Sequence, residues 1–222
     1  MEKLADSGNG NYSYIDSLME ARKVLVSEAG GTLVTIAKDV KIQVEFNPRK
    51  VAAYRLIGYE NRVLRAEDFA DDKKDAGEIG AGHSVTALSE IVPAGVKIDL
   101  PSVDALKYQE ASRVSAVAGG DELMTVKLRY KEPDGEQSRL LSVAVKEASD
   151  PSPSANLRFS GAVAAFGMLL RDSEHKGSAS YAQVLELARA GRGEDREGYR
   201  AEFLQLVQLA ETLAPTRRAS RQ

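Results

Sequence analysis

Met124-Thr125-Val126-Lys127-Leu128-Arg129-Tyr130-Lys131, followed beyond Pro133-Asp134-Gly135 by Leu141, Val143 and Val145, is the stretch on which the fold turns. Its period of two puts Met124, Val126, Leu128 and Tyr130 on one face of a strand and the polar residues on the other. Pro-Asp-Gly turns the chain, so the two segments should form a hairpin whose apolar face is buried. Upstream, Lys41-Ile42-Gln43-Val44-Glu45-Phe46 alternates in the same way, and Thr32-Leu33-Val34-Thr35-Ile36-Ala37 is a β-branched run suited to a buried strand. Asn47-Pro48-Arg49-Lys50 reads as a turn into a strand over 51–59, expected to pair with 41–46. A polar stretch over 60–82 precedes another strand from His83 to Val92, closed by Pro93. At least five strands are therefore expected in an antiparallel sandwich or barrel.

Helical signals flank this core. Ser13-Tyr14-Ile15-Asp16 fits a capping box, Ile15, Leu18, Met19, Leu25 and Val26 recur at helical spacing, and Gly30-Gly31 supplies a stop near Ala29. Pro, Ser, Ala and Gly dominate residues 99–121, where no element is assigned. Asp150-Pro151-Ser152-Pro153-Ser154 breaks the strand pattern and opens helices. Phe159, Val163, Phe166 and Leu170 form one apolar stripe, and Tyr199, Phe203, Leu206, Val207, Ala210 and Leu213 another. A shorter helix is expected between them, from Tyr181 to Ala190. The fold class is thus α+β, a sandwich-like sheet core followed by a small helical subdomain.

With 30 Lys+Arg against 33 Asp+Glu over 222 residues, the net charge of −3 gives no field that would gather nucleic acid or anionic lipid. Arg217, Arg218 and Arg221 make a solvated, disordered basic tail over 216–222. The absence of cysteine excludes disulfides, thiolate catalysis and Cys-ligated zinc, and leaves the compartment open. No apolar run reaches the roughly 18 residues of a membrane span, and the first residues lack the apolar stretch of a signal peptide.

Several segments resemble a known family. They are Gly10-Asn11-Tyr12-Ser13-Tyr14-Ile15-Asp16-Ser17-Leu18, the run from Gly31 to Pro48, Tyr54-Arg55-Leu56-Ile57-Gly58-Tyr59-Glu60-Asn61-Arg62, Asp75 to His83, and Phe159 to Gly167. Together they are similar to bacterial von Willebrand factor A domain proteins of the YfbK type. The resemblance implies that residues 1–40 are the C-terminal remnant of an A domain, with 41–149 the β-rich domain and 150–215 the helical subdomain. It also implies that the metal-dependent adhesion site of such a domain lies outside this chain. No cofactor is expected here; calcium or magnesium would belong to a longer parent, through residues this chain lacks.

Candidate chemistry is sparse. Asp150-Pro151-Ser152-Pro153-Ser154 spells the D-x-S-x-S pattern of A-domain metal sites, but it stands between a strand and a helix start and reads as linker and cap. Asp71, Asp72, Asp75 and Glu78 crowd one polar segment that could hold calcium, although Lys73 and Lys74 interrupt it and the register of a calcium loop is missing. His83 and His175 are the two imidazoles, without a nucleophile elbow. The expected function is a non-catalytic protein-interaction module that contacts a protein partner through its sheet. The alternative is a hydrolase pairing His83 with the acidic carboxylates.

Overall fold

The computed structural model describes residues 4–5, 12–59, 63–97, 114–147 and 152–214. They divide between a sheet unit drawn from 1–55, 59–85 and 90–147, and a helical unit drawn from 56–58, 86–89 and 148–222. The chain is α+β, with antiparallel sheets and a helical C-terminus, as its alternation and stripes predict.

The first helix, α1, spans Leu18–Arg22 and not residues from Ser13 onward. Ser17 caps it, its Oγ accepting the Glu20 amide at 3.1 Å. Ser17-Leu18-Met19-Glu20 is the stronger capping box, because glutamate rather than aspartate is the usual partner at the third helical position. A π-helical turn over Lys23–Ser27 follows, and α2 then covers Ala29–Leu33, so Gly30-Gly31 lies within a helix instead of ending one. Gly31 serves close approach: a Cβ there would sit 2.6 Å from Nε2 of His83.

Strand β1 (Thr35–Phe46) replaces the two separate strands expected over 32–46. One strand suffices because a bulge at Asp39, with φ of 52°, absorbs the break in alternation. β1 also runs across the boundary expected at residues 40 and 41. Strands β2 (Val51–Ile57), β3 (Gly77–Gly80), β4 (Leu88–Pro93), β5 (Glu122–Lys131) and β6 (Arg139–Lys146) complete the set. The main sheet has the order β3-β1-β5-β6 with every pair antiparallel, and β2 pairs with β4 in a separate ribbon.

The expected β1–β2 hairpin is therefore absent, and Asn47 explains why. Its carbonyl accepts from the amides of Lys50 and Val51, both at 2.9 Å, closing a turn. Its amide side chain donates to the carbonyls of Ala118 (3.0 Å) and Glu122 (2.8 Å), tying that turn to the start of β5. The chain leaves the turn toward β4, where the Ala94 amide donates to the Lys50 carbonyl at 2.8 Å. The β5–β6 hairpin forms as predicted, with the Gly135 amide donating to the Glu132 carbonyl in its turn. The strand expected from His83 begins only at Leu88.

The helical unit is built from α3 (Ala155–Leu170), α4 (Tyr181–Ala190) and α5 (Tyr199–Leu213). Ala162, Val184, Leu185, Ala188 and Val207 form its buried core, with Phe159, Phe166 and Phe203 stacked edge to face around it. The expected stripes are partly rotated. Val163, Leu170, Leu206 and Leu213 are exposed, while Ala162, Leu169 and Leu204 pack inward. α3 is apolar around most of its circumference, so periodicity selects no unique inner face. Ser154 caps α3, its Oγ accepting the Leu157 amide at 3.1 Å. The start of α5 is held by Asp195, whose carboxylate accepts the amides of Arg200 (2.9 Å) and Ala201 (2.8 Å). The Arg200 guanidinium donates to Asn156 Oδ1 at 2.6 Å and lies 4.7 Å from the Phe159 ring, linking α5 to α3.

Candidate functional site: one sheet with two unlike faces

The register assigns each side chain of β1, β5 and β6 to a face. One face carries the rows Ile42–Leu128–Leu141, Val44–Val126–Val143 and Phe46–Met124–Val145. The other carries Lys41–Arg129–Leu140, Gln43–Lys127–Ser142 and Glu45–Thr125–Ala144. Simple patterning would bury the first and leave the second to water. Burial does not follow that pattern: Lys41 and Lys131 are buried, while Ile42, Leu141 and Val143 are exposed.

At its Lys41–Arg129–Lys131 end the polar face is covered by the chain between β2 and β3, while Glu45, Leu140, Ser142 and Ala144 stay exposed. A 3₁₀ turn over Ala66–Phe69 sets Phe69 5.5 Å from the Arg129 guanidinium. Beyond it, backbone carbonyls descend onto two lysines: Lys41 Nζ donates to the Asp71 carbonyl, and Lys131 Nζ donates to the Asp72 carbonyl at 2.8 Å. Lys131 also donates to Oδ2 of Asp39 at 2.7 Å, and the Ala76 amide donates to Oδ1 of the same carboxylate at 3.2 Å. Lys41 and Lys131 are left only 2% and 7% exposed. Buried ammonium groups persist only where partners replace their water, and here carbonyls and a carboxylate do so.

The electrostatics follow the geometry. Burial pushes the Asp39 carboxyl up, but the Lys131 hydrogen bond, the Ala76 amide and the charges of Lys131 and Lys41 outweigh it and hold the group below the usual carboxylate range. Lys131 is raised, chiefly by its hydrogen bond to Asp39. Asp72 is lowered, chiefly by the Ser138 hydroxyl and then by the Ser138 amide, both of which donate to it.

Beside this pair lies a polar cleft of about 410 Å³, lined by Thr35, Lys38, Asp39, Asp75, Glu78, Lys131, Pro133 and Glu136. Both of its cations face carboxylates, Lys131 at Asp39 and Lys38 at 3.8 Å from Glu136. The arrangement suits structural cross-linking of β1, β5 and the 71–78 segment.

The expected acidic cluster is thus dispersed over different tasks. Asp71 folds its carboxylate onto the Lys73 amide at 2.9 Å, Asp72 binds Ser138, and Asp75 and Glu78 line the cleft. Among the described residues no three His, Cys, Asp or Glu side chains stand where they could hold a metal ion. His83 is exposed, its amide donating to the Gly80 carbonyl at 3.1 Å, and among the described residues no hydrogen bond joins its ring to the acidic segment. His175 pairs with Glu174 at 3.5 Å on the surface. Of the D-x-S-x-S run, Ser154 acts as the helix cap, while Asp150 and Pro151 lie outside the described residues, as do most of 99–121 and the basic tail. What the sequence reading passed over is the carbonyl–lysine clamp. Its signal was Lys41 and Lys131, which share one end of the face opposite the apolar rows.

The apolar face is open on part of its surface, with six of its nine side chains half-buried and the Phe46 ring 4.6 Å from that of Tyr54. Ile42, Leu141 and Val143 are 49%, 53% and 60% exposed, and none of its nine side chains is buried. Strand β6 pairs only with β5 among the described residues, so the face ends in a free strand edge. Among the described residues no helix is long and apolar enough to cross a membrane.

Comparison with known proteins places this geometry in a family. The chain is 46% identical over 211 residues to the uncharacterized protein YfbK of Escherichia coli (strain K12). That match takes in 95% of this chain and 36% of the relative, so the chain spans about a third of the length of the curated relative. No solved structure matches. Residues 31–213 match the family described as "Uncharacterized protein YfbK, C-terminal", covering the sheet from β1 onward and all three C-terminal helices. The chain belongs to this YfbK C-terminal family.

Proposed function

We propose that the chain is a non-catalytic protein-interaction module whose contact surface is the apolar face of the β1–β5–β6 sheet. The observation that carries the reading is the contrast between the faces, with Lys41 and Lys131 covered by the protein's own loop while Ile42, Leu141 and Val143 of the apolar face are left open. An exposed contiguous apolar patch of this kind marks an interaction surface. Its centre is free of charged residues, the composition that distinguishes the buried middle of an interface. The exposed His83, its ring hydrogen-bonded to no acidic side chain among the described residues, favours this reading over general acid–base hydrolysis.

The resemblance of residues 10–48 to von Willebrand factor A domain proteins supports a finer statement. The module is the C-terminal part of such a protein, and metal-dependent adhesion is the work of a domain outside this chain.

The test is affinity capture with the immobilised chain and with its Leu141→Asp variant, the bound proteins being quantified by mass spectrometry. Leu141 is exposed, so the variant should fold, and the carboxylate would stand within the contact on its β6 side. The expected result is a bound protein retained by the native chain and depleted about tenfold or more by the variant, the loss typical of one dominant contact residue. An identical set of bound proteins on both would overturn the assignment of the surface.

A further inference from the structure

The two sides of the sheet are finished to different degrees. On the polar side the chain supplies its own cover, down to single carbonyls placed over Lys41 and Lys131. On the apolar side nothing among the described residues buries Ile42, Leu141 or Val143. We infer that the open face is half of a core, and that its other half is the preceding part of the same polypeptide in the longer members of this family. This rests on the reading of the face as an interaction surface and names its occupant.

Two observations favour that occupant. The first is composition: Ile42, Val44, Val126, Leu128, Leu141 and Val143 form a charge-free block, as in permanent interfaces, which resemble a domain core cut in two. A surface that met and released free partners would carry more polar groups across its middle. The second is length. The matched segment is 36% of the E. coli relative and the family is the C-terminal one, so a larger part of the polypeptide lies upstream and is tethered to this sheet. A tether holds its two ends at an effective concentration on the order of millimolar, enough for a modest apolar contact to stay closed.

The experiment compares this chain alone with a chimera in which it replaces the matched 211 residues of the E. coli protein, and follows amide hydrogen exchange in β6 together with binding of an apolar-surface dye. In the chimera, exchange at Leu141, Val143 and Val145 should slow about tenfold or more and dye binding should fall, because local opening now has to break a packed contact. Leu141→Asp with Val143→Asp should restore both signals in the chimera, while Ser142→Asp on the opposite face should not. If the chimera fails to fold by circular dichroism, the same comparison is made between the intact E. coli protein and its own matched segment.

Unchanged β6 exchange and dye binding in the chimera would overturn the inference. A chain that dimerises on its own in sedimentation, with β6 already protected, would also overturn it by making a second copy the occupant, yet would leave the face as a contact surface. Should the isolated chain bind no dye and the Asp substitutions change nothing in either context, both readings fall together.

Discussion

The helical unit and the sheet unit solve opposite problems with similar residues. In the helical unit Val184, Ala162, Ala188 and Val207 are fully buried against one another and against a ring of three phenylalanines. In the sheet unit Val143 and Leu141 stand in water, while Lys41, Lys131 and Asn47 occupy the interior. Burial in the first follows residue type; in the second it follows which face the chain itself can cover. Apolar content alone therefore does not locate a core, and the half whose apolar side chains stay exposed is the half for which we propose a further packing partner.

The comparison breaks most visibly at Leu185, which is 6% exposed in the helical core. Leu185→Ala should cost about 2–5 kcal/mol, the transfer term plus the cavity left behind. Urea unfolding followed by circular dichroism checks this, and a loss below about 1 kcal/mol would mean that the helices are looser than their packing indicates.

How much of this was legible in the sequence depends on how local each signal is. The β5–β6 hairpin, the helix over Tyr181–Ala190 and the Ser154 cap could all be read because turn chemistry and short-range periodicity determine them. The β1–β2 hairpin was misread because Asn47 bonds to Ala118 and Glu122, more than seventy residues away, and no local pattern announces such a bond. The acidic segment looked like a set of oxygen ligands. Its contribution to the fold comes largely from the carbonyls of Asp71 and Asp72, which any residue carries and which side-chain motifs cannot reveal. The fate of the apolar face was least legible of all, since period two identifies two faces but does not say which one the rest of the chain will cover.

The sheet unit's charged interior should make it the acid-sensitive half. Asp39 has its pKa lowered in the folded state, so it contributes stability that is fully present above its unfolded pKa of about 4 and is lost as the pH falls through the folded value. Asp72 shifts in the same direction and adds to the slope. The urea midpoint of the sheet unit should therefore drop between pH 6 and pH 3, and Asp39→Asn should lower the midpoint at pH 6 while flattening that dependence. A slope unchanged in Asp39→Asn would remove the Asp39–Lys131 pair from the account. The helical unit has one such group in Asp195, also lowered, where burial opposes and the amides of Arg200 and Ala201 prevail. Asp39→Asn should leave the acid response of α5 intact, which separates the two halves in one titration monitored by residue-resolved amide signals.

The smallest expected effect sharpens the comparison furthest, because it sets the same substitution in both halves. Val184 and Val143 are both valines in regular structure, the first fully buried and the second 60% exposed. Valine to threonine keeps the shape and β-branching and replaces a methyl with a hydroxyl, so it reports the polarity of the surroundings and little else. At position 184 the hydroxyl enters an apolar core, at a cost of about 1–3 kcal/mol unless it finds a partner. At position 143 it meets water on a strand, where threonine is as well suited as valine, and the change in the isolated chain should stay within about 0.5 kcal/mol. Differential denaturation of the two variants measures both numbers against one reference. A cost at Val143 as large as that at Val184 would show that the face is covered in the isolated chain, and the contrast between a closed helical core and an open half-core would no longer hold.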